Sequence, residues 1–425
     1  SSTNLKRISR TIPSGVSLAQ KGKGMKAMKM ALYSSVFGDT FSDVMLIFAA
    51  GFLASIALNF GPPEYALLTG FSLICISSLT GNSIWKGLLS VFLGMIIGMI
   101  GLDPITATPR LTFDYLELEE GIGLIPMLIG TLAVSEAIRQ MEQPVKKLAS
   151  STLIFSKKKI DNIVTWSEFK STLPTILKSS GLGTLIGAMP GLGSTIAAFL
   201  AYGEAKRSSK FPEEFGKGSL EGVAASESAN NAVSGSNMIP LLAFGIPGDI
   251  AAALIMGAFL IQGITLGPVV FQDNPIEIYA IFAALIVANL FNLVLGHGLI
   301  RMCKHVVTVP KRLLFPAVLV VASAGAYALR GSIFDIQLVF IFGILGYLMI
   351  KCDIPTVPML IGFILIPILE ENLRITILLG SSHDLNIGFI FTRPAFLILI
   401  LIMVTASFVV INRRKLQNLE KITNK

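Results

Sequence analysis

An all-α polytopic membrane protein is predicted by three features of this 425-residue chain. It is 53% hydrophobic and only 14% charged, too little charge to cover a soluble body of this length. Its mean hydropathy is +0.73. Its apolar runs are long and continuous, as membrane helices require, whereas the strands of a membrane barrel alternate.

Taken in order, the runs are Val36–Leu58, Tyr65–Leu79, Ile84–Leu102, Ile122–Ile138, Ile276–Ile300, Leu313–Leu329, Ile333–Ile350, Ile354–Leu369 and Phe389–Ile411. Two or three further elements are expected between residues 179 and 271. The total is about 10 to 12 membrane elements, including re-entrant or broken helices.

Loop charge orients the runs, because short cytoplasmic loops are rich in Lys and Arg. Residues 1–35 form a basic lead with Lys6, Arg7, Arg10, Lys21, Lys23, Lys26 and Lys29, predicted cytoplasmic. Residues 36–138 form the first helix group, with the acidic Asp103–Glu120 loop outside. Residues 139–178 return inside with eight basic residues. Residues 272–411 form the last group, with Glu370, Glu371 and Asp384 outside. Residues 412–425, carrying Arg413-Arg414-Lys415, are a cytoplasmic tail. With its basic residues confined to loops and termini, the net charge of +8 reads as membrane orientation, not as a nucleic-acid surface. Glu64 and Asp103, at predicted outer helix ends, read as solvated caps.

The central region, 179–271, breaks the apolar pattern. Fifteen of the 39 glycines fall between Ser180 and Phe271. It holds Pro190-Gly191-Leu192-Gly193-Ser194-Thr195 and Gly245-Ile246-Pro247-Gly248-Asp249. Broken helices at membrane depth survive only where protein or a wet cavity covers them, and such breaks point to a transporter's site. The first is either a re-entrant tip, with a half-helix from Ser194 aiming N–H groups at an anion, or a Pro-kinked helix. The second is either a matching tip or a surface turn. The charged segment Tyr202–Lys217 is placed inside, which makes Leu182–Ala201 a hairpin turning at Pro190-Gly191.

Between the breaks, Glu227, Asn230, Asn231, Ser234 and Asn237 lie close to one helical face. A carboxylate with amides and hydroxyls offers oxygens to a hard cation, or one proton site. A polar linker helix is the plainer reading. Three cysteines and three histidines are scattered without metal or redox spacing, so no metal site or cofactor is expected. Ser194 has no histidine partner nearby, which disfavours an intramembrane hydrolase.

The run Gly187–Gly193, Phe215-Gly216-Lys217-Gly218, Glu221–Ala232, Ile239-Pro240 and Gly245–Gly248 closely resembles the large membrane subunit of tripartite tricarboxylate transporters. Upstream, Lys21–Gly24, Gly61–Tyr65, Lys86–Leu88, Gly101–Pro104, Pro109-Arg110 and Leu132–Glu136 follow that family's order. The resemblance implies an inner-membrane secondary transporter with no enzymatic activity. It implies two partners, a small membrane subunit and an extracytoplasmic solute-binding protein. It implies organic carboxylate substrates, citrate-like in the founding case, and coupling to Na+ or H+. Pro190, Gly191, Gly193, Ser194, Thr195, Asn237, Pro247 and Gly248 are the expected substrate residues. Glu227, Asn230 and Asn231 are the expected cation residues. The family has two homologous halves, each with a Pro-Gly block, and here the first block would lie upstream of Ser1. Thr11–Gly15 matches it poorly, so the chain reads as lacking its N-terminal repeat. A non-transporting remnant or scaffold subunit is the rival expectation.

Overall fold

A computed structural model describes residues 17–19, 21–79, 83–103, 105–142, 158–189, 193–306, 311–382, 387–401 and 403–404. Residues 1–16 of the basic lead, with the Thr11–Gly15 stretch, and the Arg413–Lys415 tail lie outside them. The described chain is almost wholly helical, an all-α polytopic membrane protein. Among the described residues, four helices are long and apolar enough to cross a bilayer.

Helix α1, Gly24–Ala57, has 34 residues. At about 1.5 Å per residue it outreaches a hydrocarbon core of about 30 Å. It starts well before Val36, inside the basic segment, because Met, Ala and Lys there are strong helix formers. Helices α2 (Pro62–Leu79) and α3 (Ile84–Gly98) follow. A short hairpin, β1 (Gly101–Leu102) with β2 (Pro109–Arg110), pairs Gly101 with Arg110. The predicted span Ile122–Ile138 is one uninterrupted helical run made of α4 (Leu124–Leu128), a π turn (Ile129–Val134) and α5 (Ser135–Met141). Gly130 explains the widening: it lies directly against the Val339 backbone, where no side chain fits.

The centre consists of α6 (Trp166–Gly187), α7 (Gly193–Ser208), α8 (Leu220–Phe244) and α9 (Ile250–Ile261). The remainder is α10 (Pro275–Val306), α11 (Lys311–Arg330), α12 (Ile333–Lys351) and α13 (Thr356–Ser382). Thus Glu370 and Glu371 lie within a helix, not in a loop. The expected last span is described as a 3-10 stretch, Ile387–Thr392, and a helical run at 394–401.

These helices pack in three groups. Helix α8 is the axis of the first, ringed by α1, α6 and α7. Helices α2, α3 and α13 form the second. The α4–π–α5 segment packs with α11 and α12 in the third. The central apolar cluster joins Leu46 of α1, Leu241 of α8, Phe259 of α9, Phe282 of α10 and Ile364 of α13. Small residues let α1 and α8 touch closely, as membrane helices without a hydrophobic drive between them require. Gly38 lies on the Ser228 carbonyl, and Gly235 lies between Ser42 and Asp43.

The two expected caps are in fact buried ion pairs. Glu64 is 0% exposed, accepts the Gly61 N–H at 2.8 Å and pairs with Arg393 Nε at 2.5 Å. Its partner lies far along the chain, so no local pattern announces it. Arg393→Ala strands that carboxylate, and removing one partner of a buried pair costs on the order of 3 kcal/mol. Thermal unfolding in detergent measures this. Glu64→Gln with Arg393→Gln is expected to restore most of the loss.

Asp103 accepts the N–H groups of Thr106 and Ile105, each at 2.9 Å, and pairs with Arg374 at 2.9 Å. The two backbone donors, with Arg374, hold its carboxyl well below the usual carboxylate range. Because the folded value is depressed, its stabilisation is complete above about pH 4, the unfolded carboxylate range. It is lost only as pH falls through the depressed value. The hairpin is therefore expected to resist proteolysis at mildly acidic pH, and Asp103→Asn to be cleaved there and at neutral pH alike.

Candidate functional site

The end of α6, which leads into the first glycine-rich break, meets the second break inside the protein. Helices α6 and α7 form a hairpin: Thr175, Lys178 and Leu182 of one line the same small crevice as Ala201, Glu204 and Ser208 of the other. Pro190 and Gly191, the expected turn, lie outside the described residues. Gly193 opens α7 with φ +69°, a left-handed value that suits glycine. Ser194 is half-buried and Thr195 exposed at the same helix start. This geometry places Tyr202–Lys217 at the same end of the bundle as Lys23 and Lys178.

Helix α8 runs back from that end, capped by Ser219, whose Oγ accepts the Gly222 N–H at 3.2 Å. It stops where Gly245 takes φ +70°. The next residues, Ile246, Pro247 and Gly248, are non-helical yet buried. They form a broken helix within protein rather than a surface turn. Asp249 caps α9 by accepting the Ala252 N–H at 2.9 Å.

Asn237 stands where these ends converge. It is 2% exposed, and neither its Nδ2 nor its Oδ1 has a hydrogen-bond partner among the described residues. A Cβ placed on Gly248 would lie 2.6 Å from Asn237 Oδ1 and 3.4 Å from the Gly187 carbonyl oxygen. The Asn237 amide and the end of α6 therefore both face the second Pro-Gly loop at Gly248. An unpaired buried amide costs about 1–3 kcal/mol, so a ligand there would recover lost stability.

A polar seam runs along the α1–α8 contact from Asn237 toward the Lys23 end. Ser35 Oγ donates to Glu227 Oε2 at 3.4 Å, and Asn231 Nδ2 donates to Ser35 Oγ at 2.8 Å. One turn on, Ser234 lies beside Asp39. Asp43, 4% exposed, accepts from Asn289 Nδ2 of α10 at 2.7 Å. Tyr33 and His297 Nε2 are hydrogen-bonded at 2.9 Å. Glu227, Asn230 and Asn231 are half-buried and Ser234 is exposed, so this face is partly accessible. The helical face read from spacing thus exists, but its partners in α1 and α10 went unread. Asp39 and Asp43 carried a signal: two acids four residues apart, one of them next to an apolar run. Among the described residues, no three His, Cys, Asp or Glu side chains converge to hold a metal. The carboxylates form a ladder, not a cage.

At the Lys23 end a cavity of about 700 Å³ opens between α1, α6, α7 and α8. Lys23, Lys26, Lys178 and Lys210 line it with Ser171 and Thr175. Lys26 pairs with Glu168 at 2.6 Å. Glu168, Glu214 and Glu221 line it as well, so the four lysines stand among three carboxylates.

Broken helices converging on a buried amide, beside a ladder of intramembrane carboxylates, define a multi-pass membrane protein of the transporter class. Residues 9–361 match the family described as "Tripartite tricarboxylate transporter TctA family", and the chain belongs to that family. It is therefore a component of a tripartite transporter. A relative from Agrobacterium vitis, "Uncharacterized 52.8 kDa protein in TAR-I ttuC' 3'region", is 37% identical over 85% of this chain and 71% of its own length. A second from the same organism, "Uncharacterized protein in TAR-II ttuC' 3'region", is 44% identical over 45% of this chain and 79% of its own length. No solved structure matches.

Proposed function

We propose that this chain is the large membrane subunit of a cation-coupled importer of organic carboxylates, tricarboxylates such as citrate or related acids. The observation that carries this reading is the meeting of the α6 end, the Gly245–Asp249 loop and the unpaired Asn237. Helix starts with free N–H groups receive carboxylates. The start of α7, with Gly193, Ser194 and Thr195, offers such donors, and Asn237 Nδ2 adds one more. Pro190, Gly191, Pro247 and Gly248 would shape the tips. Glu227, Asn230 and Asn231, with Asp39 and Asp43, would carry the coupling Na+ or H+. Negative charge on substrate and ladder together disfavours closure until a cation enters.

An extracytoplasmic solute-binding protein would deliver the substrate, and a small membrane subunit would complete the complex. By the positive-inside reading the termini and the lysine-lined cavity face the cytoplasm of an inner-membrane protein, and the cavity is the release route. The test is uptake of labelled di- and tricarboxylates into proteoliposomes holding the complex. Uptake is expected only with an inward Na+ or H+ gradient. Equal uptake with and without gradients would refute coupling, and no gradient-driven uptake of any carboxylate would refute the substrate class.

A further inference from the structure

The amide at the meeting point has two ends, and both lack a hydrogen-bond partner among the described residues. Oδ1 of Asn237 faces the space left by the missing side chain of Gly248, and the Gly187 carbonyl oxygen faces that same space. Gly187 is the last residue of α6, so its carbonyl is one of those a helix end leaves without an intrahelical donor. Carbonyls at a helix C-terminus carry partial negative charge. The α8 end at Gly245 lies a few residues from the same loop, and Asp249 brings carboxyl oxygens to it. Oxygen dipoles, a nearby carboxylate and the exclusion of water make a place for a small hard cation. Lysine and arginine are absent from residues 218–300, and among the described residues none hydrogen-bonds to Asn237.

We propose that Asn237 Oδ1 and the Gly187 carbonyl, cradled at Gly248, form a sodium site, and that Asn237 Nδ2 donates to the bound carboxylate. One side chain then links ion and substrate. Sodium fixes the amide with its NH2 turned to the anion, so each ligand favours the other. The link to substrate rests on the transport reading above, whereas sodium binding does not. The site differs from the Glu227 face by its donors, which are neutral oxygens, so it selects by size and geometry rather than by protonation.

The full chain, purified in detergent without any carboxylate, is heated in NaCl, KCl or choline chloride at equal ionic strength. Sodium is expected to raise the unfolding midpoint saturably by several degrees (about 4 °C or more if the ion is held well above its dissociation constant), and potassium and choline are not. Asn237→Asp keeps the oxygen and is expected to keep the sodium shift. Gly248→Ala fills the cradle and is expected to abolish it, as is Asn237→Ala. Gly51→Ala, where nothing lies within 4 Å of the added carbon and which belongs to neither proposed cation site, is expected to retain it. Equal shifts with sodium and potassium, or a full sodium shift in Gly248→Ala and Asn237→Ala, would overturn the site. A sodium shift together with absent carboxylate uptake supports the site and refutes only the transport reading.

Discussion

Gly235→Leu is expected to leave no folded protein in a detergent-solubilised membrane fraction. A first side-chain carbon at Gly235 would stand 2.6 Å from Ser42 Oγ and 2.9 Å from the Asp43 backbone nitrogen. The second of these is main chain of α1 and cannot swing aside. Overpacking typically costs about 1–3 kcal/mol, and leucine adds three carbons beyond the first. The insertion would part α1 from α8, the most intimate helix contact of the chain, and detach Asp43 from Asn289. A total stability of about 5–15 kcal/mol leaves little to absorb that. Gly51→Leu is the control, since nothing lies within 4 Å of a Cβ there. Size-exclusion chromatography is expected to show a monodisperse peak for Gly51→Leu and aggregate for Gly235→Leu.

Asp43→Asn is expected to fold normally and to lose gradient-driven uptake. Asparagine keeps the volume and can still accept from Asn289 Nδ2, so packing and the hydrogen bond survive. Only the charge goes. If that charge helps carry the coupling cation, its loss costs a coupling energy of about 1–3 kcal/mol, or roughly 5- to 150-fold in the affinity of one ligand for the other. Uptake at limiting cation, compared with uptake at saturating cation, reads this directly. A purely structural Asp43 would leave both rates unchanged in Asp43→Asn.

The membrane class and most helices were plain from apolar runs, because lipid imposes length and composition on every span. Where the runs misled, packing was the reason. Ile122–Ile138 reads as one span and is one helical run, but spacing gives no sign of its π turn, where Gly130 lies against Val339. Glu370 and Glu371 look like loop residues, yet α13 carries them because Glu370 is neutralised by Arg110 and Arg374, each at 2.6 Å. The site was half visible. Pro-Gly punctuation marked both breaks, and helical spacing marked Glu227, Asn231 and Asn237. What spacing cannot give is which groups lack partners. Asn237 differs from Asn231 only in its surroundings: Asn231 bonds Ser35, while Asn237 bonds nothing among the described residues. Asn289, 246 positions from Asp43, could not be joined to it by any local rule.

The claim that these converging helix ends form the substrate site is tested most directly by uptake in Asn237→Ala. Equal amounts of folded wild type and variant are reconstituted with the partner subunits, and initial uptake of the best carboxylate is measured under a saturating inward cation gradient. The account predicts uptake at the level of empty liposomes for Asn237→Ala, with unaltered size-exclusion behaviour. Uptake at the wild-type rate by that variant would contradict it.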